Sequence, residues 1–190
     1  MSVQNKLISG LSYAFGIRYL SVDVTEIAQT AHFKHKLTST RARLCAEGII
    51  AAALMASQIK GEERISLHMQ LEQPSASFMC DVTAQGCIRA RFRSEEPLED
   101  LIKGVILVIK HNASRELYRG VTEVNHSTLE QALLSHLQNS TQVPSALRCE
   151  VRQDPSGNII RAVGVLFELL PKSKDFEEIT PEEFKAHTST

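Results

Sequence analysis

The feature that most constrains the fold of this chain is its strongest apolar stretch, which runs from residue 48 to 59 between Glu47 and Lys60. A transmembrane helix needs about 20 apolar residues, so this stretch is too short to cross a bilayer. Thr38-Ser39-Thr40, residue types that cap helix N-termini, stand upstream of it. A helix that is apolar nearly all round is buried on several sides. The sequence therefore predicts a central helix over about 39–60 that other elements must cover.

Alternation of apolar and polar residues predicts a strand directly after this helix. Ile65, Leu67, Met69 and Leu71 alternate with polar residues, which is typical of a strand with one buried and one solvated face. Composition, alternation and turn signals indicate further strand material, at 7–22, 77–82, 87–93, 105–110, 116–124, 147–151 and 159–170.

Two further helices accompany these strands. One should start at Asp23 or Thr25 and run to about His35, and the other opens at a Ser-x-x-Glu capping box from Ser127 to Glu130. The resulting series of about seven strands and three helices is rich in hairpins and lacks a strand–helix–strand rhythm. These features predict an α+β fold, in which antiparallel sheet is packed with helices.

A change in composition after Pro171 predicts a core at residues 1–171 and an acidic tail at 172–190. The tail carries three lysines against five acidic residues, and Thr180 followed by Pro-Glu-Glu indicates a helix start within it. Its only large apolar side chains are Phe176, Ile179 and Phe184. We expect them to dock on apolar surface of the core and partly mask it. A frayed, solvated terminus is the alternative.

Charge and aromatic content exclude several classes of partner. Twenty-one basic residues face 22 acidic ones, which leaves a formal net charge of −1 and argues against a protein built to coat nucleic acid or an anionic membrane. The absence of Trp and an aromatic content of 5% also argue against a platform for stacking bases. The N-terminus has no apolar segment of the secretory kind, so a cytoplasmic location is expected.

The cysteines lack the spacing of a metal or redox motif. Cys45, Cys80, Cys87 and Cys149 contain no Cys-x-Cys or Cys-x-x-Cys pair, so neither a zinc knuckle nor a thioredoxin-like motif is present. Cys80 and Cys87 flank a predicted hairpin turn, and the period of two places them on opposite faces or puts Cys87 in the turn. No metal and no cofactor are expected.

No catalytic constellation emerges from the other polar residues. Phosphate-binding, nucleophile-elbow and zinc-protease motifs are absent from the sequence. His32 and His35 stand three apart on a helix, but no further ligand follows at metal spacing, so a solvent-facing helix end is favoured. Arginines at 89, 91 and 93 alternate on one strand face, which is typical of a solvated sheet surface and compatible with binding phosphate or carboxylate. We therefore predict that the protein is not an enzyme. An enzyme that uses Cys45 or Cys149 as its nucleophile is the least favoured of the functions considered.

The order of motifs resembles the N-terminal core of the 33 kDa chaperonin family, the redox-regulated heat-shock holdases. The resemblance covers residues 7–171. It is carried by segments that follow one another in the family's order, at Val22–Glu26, Leu54–Arg64, Glu116–Gly120, Gln142–Pro144 and Gly164–Pro171.

The resemblance implies an ATP-independent chaperone that binds unfolded or aggregation-prone client proteins. It also implies a core that dimerises, a linker to which the tail would belong, and a zinc domain with Cys-x-Cys and Cys-x-x-Cys pairs. This chain has neither pair, so a holdase without the zinc and disulfide switch is expected. A homodimer is also expected because the central helix and the strand at 159–170 supply more apolar surface than one small sheet covers.

A second class of function stays open beside the holdase. The same fold could serve as a structural or regulatory module that holds one specific partner and has lost general chaperone activity. A pull-down separates the two, because a holdase returns many unfolded clients and a module returns one folded protein.

Overall fold

The computed structural model describes residues 5–73, 75–94, 102–126, 128–171 and 179–188. Within these ranges the chain forms nine strands and four helices. In chain order they are β1 Lys6–Ser12, β2 Ile17–Asp23, α1 Thr25–His35, α2 Ser39–Met55, β3 Arg64–Gln73, β4 Ala76–Thr83, β5 Ile88–Ser94, β6 Ile102–His111, β7 Glu116–His126, α3 Leu129–Thr141, β8 Ser145–Gln153, β9 Ile159–Leu169 and α4 Pro181–Thr188. The predicted α+β class is confirmed.

The smaller sheet has four strands in the order β1-β2-β9-β8, and each neighbouring pair is antiparallel. The strand material expected at 7–22 is divided by a turn at 13–16. Gly16 ends this turn with φ +60°, a left-handed conformation that glycine adopts without steric cost. β1 and β2 therefore form a hairpin, and β1 is an edge strand.

The larger sheet has five antiparallel strands in the order β5-β4-β3-β6-β7. β3 lies at its centre, and its predicted apolar residues are each 1% exposed: Ile65, Leu67, Met69 and Leu71. Phe78 on β4 and Ile106 on β6 continue the same buried face. One face of this sheet thus belongs to the core, as alternation requires.

The central helix α2 contacts strands of both sheets. Gly48 faces the larger sheet so closely that a Cβ there would stand 2.5 Å from the Phe78 ring. Gly164 on β9 brings the smaller sheet equally close, because a Cβ there would stand 2.2 Å from Ile50 Cγ2. A helix buried between two sheets needs apolar side chains all round, which explains the composition of the stretch at 48–59.

α2 is shorter than the sequence predicts. It ends at Met55 and continues as one 3-10 turn over Ala56–Gln58. Ser57 Oγ donates a hydrogen bond to the Leu54 carbonyl at 3.0 Å, a local interaction that competes with regular helix. Ile59 is already extended, with φ −120° and ψ 153°. The expectation of a helix to residue 60 was wrong by about one turn.

Local side-chain hydrogen bonds lie at the starts of α1 and α3. Asp23 Oδ1 accepts hydrogen bonds from the Thr25 amide at 3.1 Å and from its hydroxyl at 2.6 Å, which forms a turn just before α1, although the N-cap residue Val24 itself makes no side-chain cap. Thr128 caps α3 by accepting a hydrogen bond from the Gln131 amide at 3.2 Å. Ser127, the predicted cap, lies outside the described residues.

The cap of α3 is Thr128, one residue after the predicted cap Ser127, and Glu130 has partners outside the helix. Its carboxylate accepts a hydrogen bond from the Cys149 amide at 2.6 Å and pairs with Arg148 at 2.8 Å. The Glu130 side chain thus joins α3 to β8.

Gly164→Ala should lower the free energy of unfolding by about 1–3 kcal/mol, because its methyl group overlaps two fully buried side chains, Ile50 and Leu54. Gly10→Ala is the matched control. The three atoms nearest its methyl group all belong to the Tyr19 side chain, which is 40% exposed and can move towards solvent. Urea unfolding checks both variants, and equal losses of stability would contradict the close packing of α2 on the smaller sheet.

Candidate functional site

A row of residues on the outer face of the smaller sheet forms the floor of an apolar groove. Register aligns Gly10, Tyr19, Phe167 and Ala146 across all four strands. The Tyr19 ring lies over Gly10, where a Cβ would stand 2.3 Å from it. The two aromatic side chains are 40% and 37% exposed. This is a continuous apolar strip on the side of the sheet that faces away from α2.

Residues at the end of the β1–β2 hairpin extend this strip into a groove of about 480 Å³. Phe15 stands beside it and is 45% exposed, and Ile17 lies next to it on β2. Among the lining residues that the structure describes, Arg148 is the one charged side chain. We call this lining and its floor the sheet groove.

The helix α4 lies against the sheet groove. Its start is closed by a reciprocal capping pair, in which the Thr180 amide donates to Glu183 at 2.8 Å and the Glu183 amide donates to Thr180 at 3.2 Å. This confirms the helix start predicted there. Phe184 follows one residue later and is 2% exposed, and with Thr188 it forms part of the groove lining. One short helix therefore closes part of an apolar surface.

The three tail residues singled out in the sequence have different positions. Phe184 is buried and Ile179 is partly buried. Phe176 lies outside the described residues. Sequence reasoning did not single out Tyr19, Phe167 or Phe15, whose shared face depends on pairing between strands about 150 residues apart in the chain.

The cysteines lie in different environments, and most are unsuited to reaction. Burial raises the pKa of Cys45 to about 12. Burial also raises the pKa of Cys80, with Cys45 and Asp81 contributing in the same direction. Cys87 is exposed in the turn region between β4 and β5. Because the thiolate is the reactive and metal-binding form, Cys45 and Cys80 remain inert thiols.

Cys149 is a poor nucleophile for an additional reason. Burial raises its pKa, and the carboxylates of Glu130 and Glu47 raise it further. The pKa of Glu47 is itself raised by burial. Burial and two acidic neighbours together leave the Cys149 thiol protonated at neutral pH.

A Ser-His-Asp cluster on the larger sheet is not a nucleophilic triad. Ser66 Oγ donates a hydrogen bond to Asp81 and lies 3.2 Å from His111 Nε2. In a triad the carboxylate orients the imidazole, whereas here the serine stands between the two. The cluster joins β3, β4 and β6 across the sheet, and sequence spacing gives no signal of it.

The histidines of α1 and the arginines of β5, which the sequence offered as candidate ligands, lie at the end of a helix and on an exposed strand face. His35 Nε2 contacts the Ala90 carbonyl at 3.1 Å, and His32 is partly buried in the last turn of α1. Arg89, Arg91 and Arg93 are exposed on β5, as expected of a solvated face. Within the described ranges, no three His, Cys, Asp or Glu side chains gather in a way that would hold a metal ion.

Two antiparallel sheets packed around a central helix place this chain in the class of α+β proteins. The Hsp33 protein family model matches residues 5–190. The chain belongs to this family, as the resemblance in the sequence indicated.

Named relatives are consistent with this family. The chain is 24% identical to the 33 kDa chaperonin of Bacillus licheniformis over 187 residues, and 23% identical to that of Bacillus subtilis over the same length. Each of these matches covers 92% of this chain and 64% of the relative. A third relative, from Staphylococcus epidermidis, is 24% identical and is covered over 62% of its length. The chain thus spans just under two thirds of the relatives' length.

A solved structure shares the fold. The crystal structure of the 33 kDa chaperonin (heat shock protein 33 homolog) from Thermotoga maritima matches with a TM-score of 0.77 at 19% identity. The match covers 86% of this chain and 60% of that protein. In the part of the chain that the structure describes, none of the helices combines the length and apolar character that a membrane span needs.

Proposed function

We propose that this protein is an ATP-independent holdase that binds unfolded or aggregation-prone proteins and prevents their aggregation. The observation that carries the proposal is its membership of the Hsp33 family on a fold that presents an apolar sheet groove. The sequence contains no nucleotide-binding motif, so in this proposal client binding depends on surface contact and not on ATP. The protein acts in the cytoplasm, is not an enzyme, and takes neither nucleic acid nor membrane as its partner.

The chemistry of the sheet groove suits clients of varied sequence. Its floor offers the faces of Tyr19 and Phe167, with Phe15 at its margin. Burial of apolar surface contributes roughly 25 cal/mol per Å² and has no directional requirement. A surface of this kind binds exposed apolar segments without selecting one sequence, which is what a holdase requires.

The tail at 172–190 is the regulatory element in this proposal and corresponds to the start of the family's linker. Phe184 fills part of the sheet groove and therefore competes with clients for it. α4 is only eight residues long, and isolated helices of this length are marginal in water. Displacement of the tail by heat or by a client would open the groove at modest energetic cost. Phe176 and Ile179 take part in the same masking.

The chaperone activity of this chain does not depend on zinc or a disulfide formed by its own cysteines. A switch of that kind needs thiolates that converge on one ion. Cys45 and Cys80 are held in the core with raised pKa, and Cys149 lies beside two carboxylates. Their positions belong to strands and helices that would have to be rebuilt to bring them together.

The protein should suppress light scattering by a thermally aggregating client when present in excess, and ATP should not change the effect. Suppression should be equal before and after peroxide treatment, since the buried thiols stay protonated. No suppression in either state would exclude the holdase. Activity that appears only after oxidation, or stoichiometric zinc in the purified protein, would contradict the absence of a switch. A pull-down that returns one folded partner would favour a specific binding module instead.

Phe184→Ala should raise the fluorescence of a hydrophobic dye bound to the protein by about twofold or more, because it empties part of the sheet groove. Phe33→Ala is the matched control, since it removes the same phenyl ring from a side chain that is already 82% exposed. The Phe184 variant should also suppress aggregation at lower concentration than the wild type. Unchanged dye binding would show that α4 masks nothing.

A homodimer, formed in part through β1, completes the proposal. β1 is an edge strand, and its Leu7 and Ile8 side chains point to opposite faces and are 50% and 54% exposed. An apolar edge strand is a template for pairing or exchange with a second copy.

Sedimentation at micromolar concentration should show a dimer that Ile8→Lys shifts towards monomer. A wild-type protein that is entirely monomeric there would exclude it.

A further inference from the structure

The outer face of the larger sheet carries an apolar band that crosses its strands. Register places Arg91, Met79, His68, Leu107 and Val121 in one row from β5 to β7. Met79 and Val121 are 43% and 63% exposed, although both are apolar. This row points away from α2, and its exposed apolar side chains form a second surface distinct from the sheet groove.

Positive charge is concentrated along one edge of this band. Arg89, Arg91 and Arg93 are exposed on β5, the edge strand. The cross-strand neighbours of the last two are Met79 and Ser77, which are uncharged. Among the described residues, no carboxylate forms an ion pair with any of these three arginines. We call the apolar band together with this arginine edge the basic face.

Two carboxylates of this face have partners of their own. Asp81, opposite Arg89, accepts the hydrogen bond from Ser66. At the far edge, Arg119 is paired with Glu116 through two hydrogen bonds, at 3.0 and 2.7 Å. The charge of Arg119 is thus balanced locally, whereas no ion pair joins Arg91 or Arg93 to another residue that the structure describes.

We propose that this basic face binds segments of unfolded protein in which carboxylate side chains lie next to apolar ones. The apolar band covers the client's apolar side chains, and the guanidinium groups at its edge pair with the carboxylates in the planar geometry that arginine favours. A client is chosen over nucleic acid because the row at its centre holds no Phe, Tyr or Trp on which bases could stack. This inference rests on the proposed holdase function and names its preferred clients.

The test uses two unstructured, fluorescently labelled peptides that share their apolar residues and differ only in having Glu or Lys between them. Anisotropy should show the Glu peptide binding about tenfold more tightly at low salt, which is within the range that two exposed ion pairs supply. The preference should shrink as salt is added, because exposed charges are screened.

Charge-matched variants locate the effect on the basic face. Arg91→Glu/Arg93→Glu should remove or reverse the preference. Arg152→Glu/Arg161→Glu makes the same change in net charge on exposed arginines of the smaller sheet and should largely retain it. Val121→Ser should weaken both peptides about equally, since it reduces the apolar band alone.

The outcomes separate this inference from the proposed function. Equal affinity for the two peptides, or equal effects of the two double variants, would overturn the basic face and leave the holdase intact. Failure to bind either peptide, together with no suppression of aggregation, would overturn both. Dissociation of a dimer by Arg91→Glu/Arg93→Glu would show that a second copy of this chain occupies the face, which would also overturn the proposal.

Discussion

The burial of α2 on opposite sides is the constraint on which the rest of the structure depends. Gly48 admits the Phe78 ring on one side, and Gly164 admits Ile50 on the other, so the helix contacts both sheets with little space between. Such a helix cannot cover its surface with one sheet, and two sheets packed on it leave two outer faces towards solvent. The core therefore lies in the middle of the molecule, and the surfaces available for function are the backs of its sheets.

Local sequence patterns predict most of the helices and strands, whereas pairing between distant strands determines where the residues of the sheet groove lie. Alternation identified β3, and capping residues placed the starts of α1 and α4 within a residue or two, because both signals are contained in a few neighbouring positions. The same reasoning does not find the partners of Glu130, because these lie on β8, 18 and 19 residues away in the sequence. The floor of the sheet groove depends on the register of four strands that meet only in the folded chain. Phe184 was predicted to dock from its isolation among acids, but the surface that receives it was not predicted.

The packing that builds the core also determines the chemistry of the thiols. Cys45 comes from α2 and Cys80 from the strand facing it, so both lose solvent when the helix is enclosed, and their pKa values rise. Reactive or zinc-binding thiols need the opposite environment, with water or positive charge that stabilises the thiolate. A family member that relies on these positions for packing cannot also use them as a sensor without opening its core. Under the proposed function, regulation therefore depends on a surface element. α4 is such an element, because it lies against the sheet groove.

The two outer faces differ in a way that gives a holdase two modes of contact. The sheet groove is apolar and partly closed by Phe184. Under the proposed function a client gains the whole groove by displacing α4, and the free energy of undocking that helix is subtracted from the free energy of binding. The arginines of the basic face are exposed, and exposed arginines attract carboxylates over a distance of about 8 Å at physiological salt. Long-range attraction raises the rate of encounter more than the final affinity, whereas apolar burial acts only on contact. A client with acidic segments would thus be retained at the basic face while its apolar segments compete with α4, and the order of these steps follows from the range of the two forces.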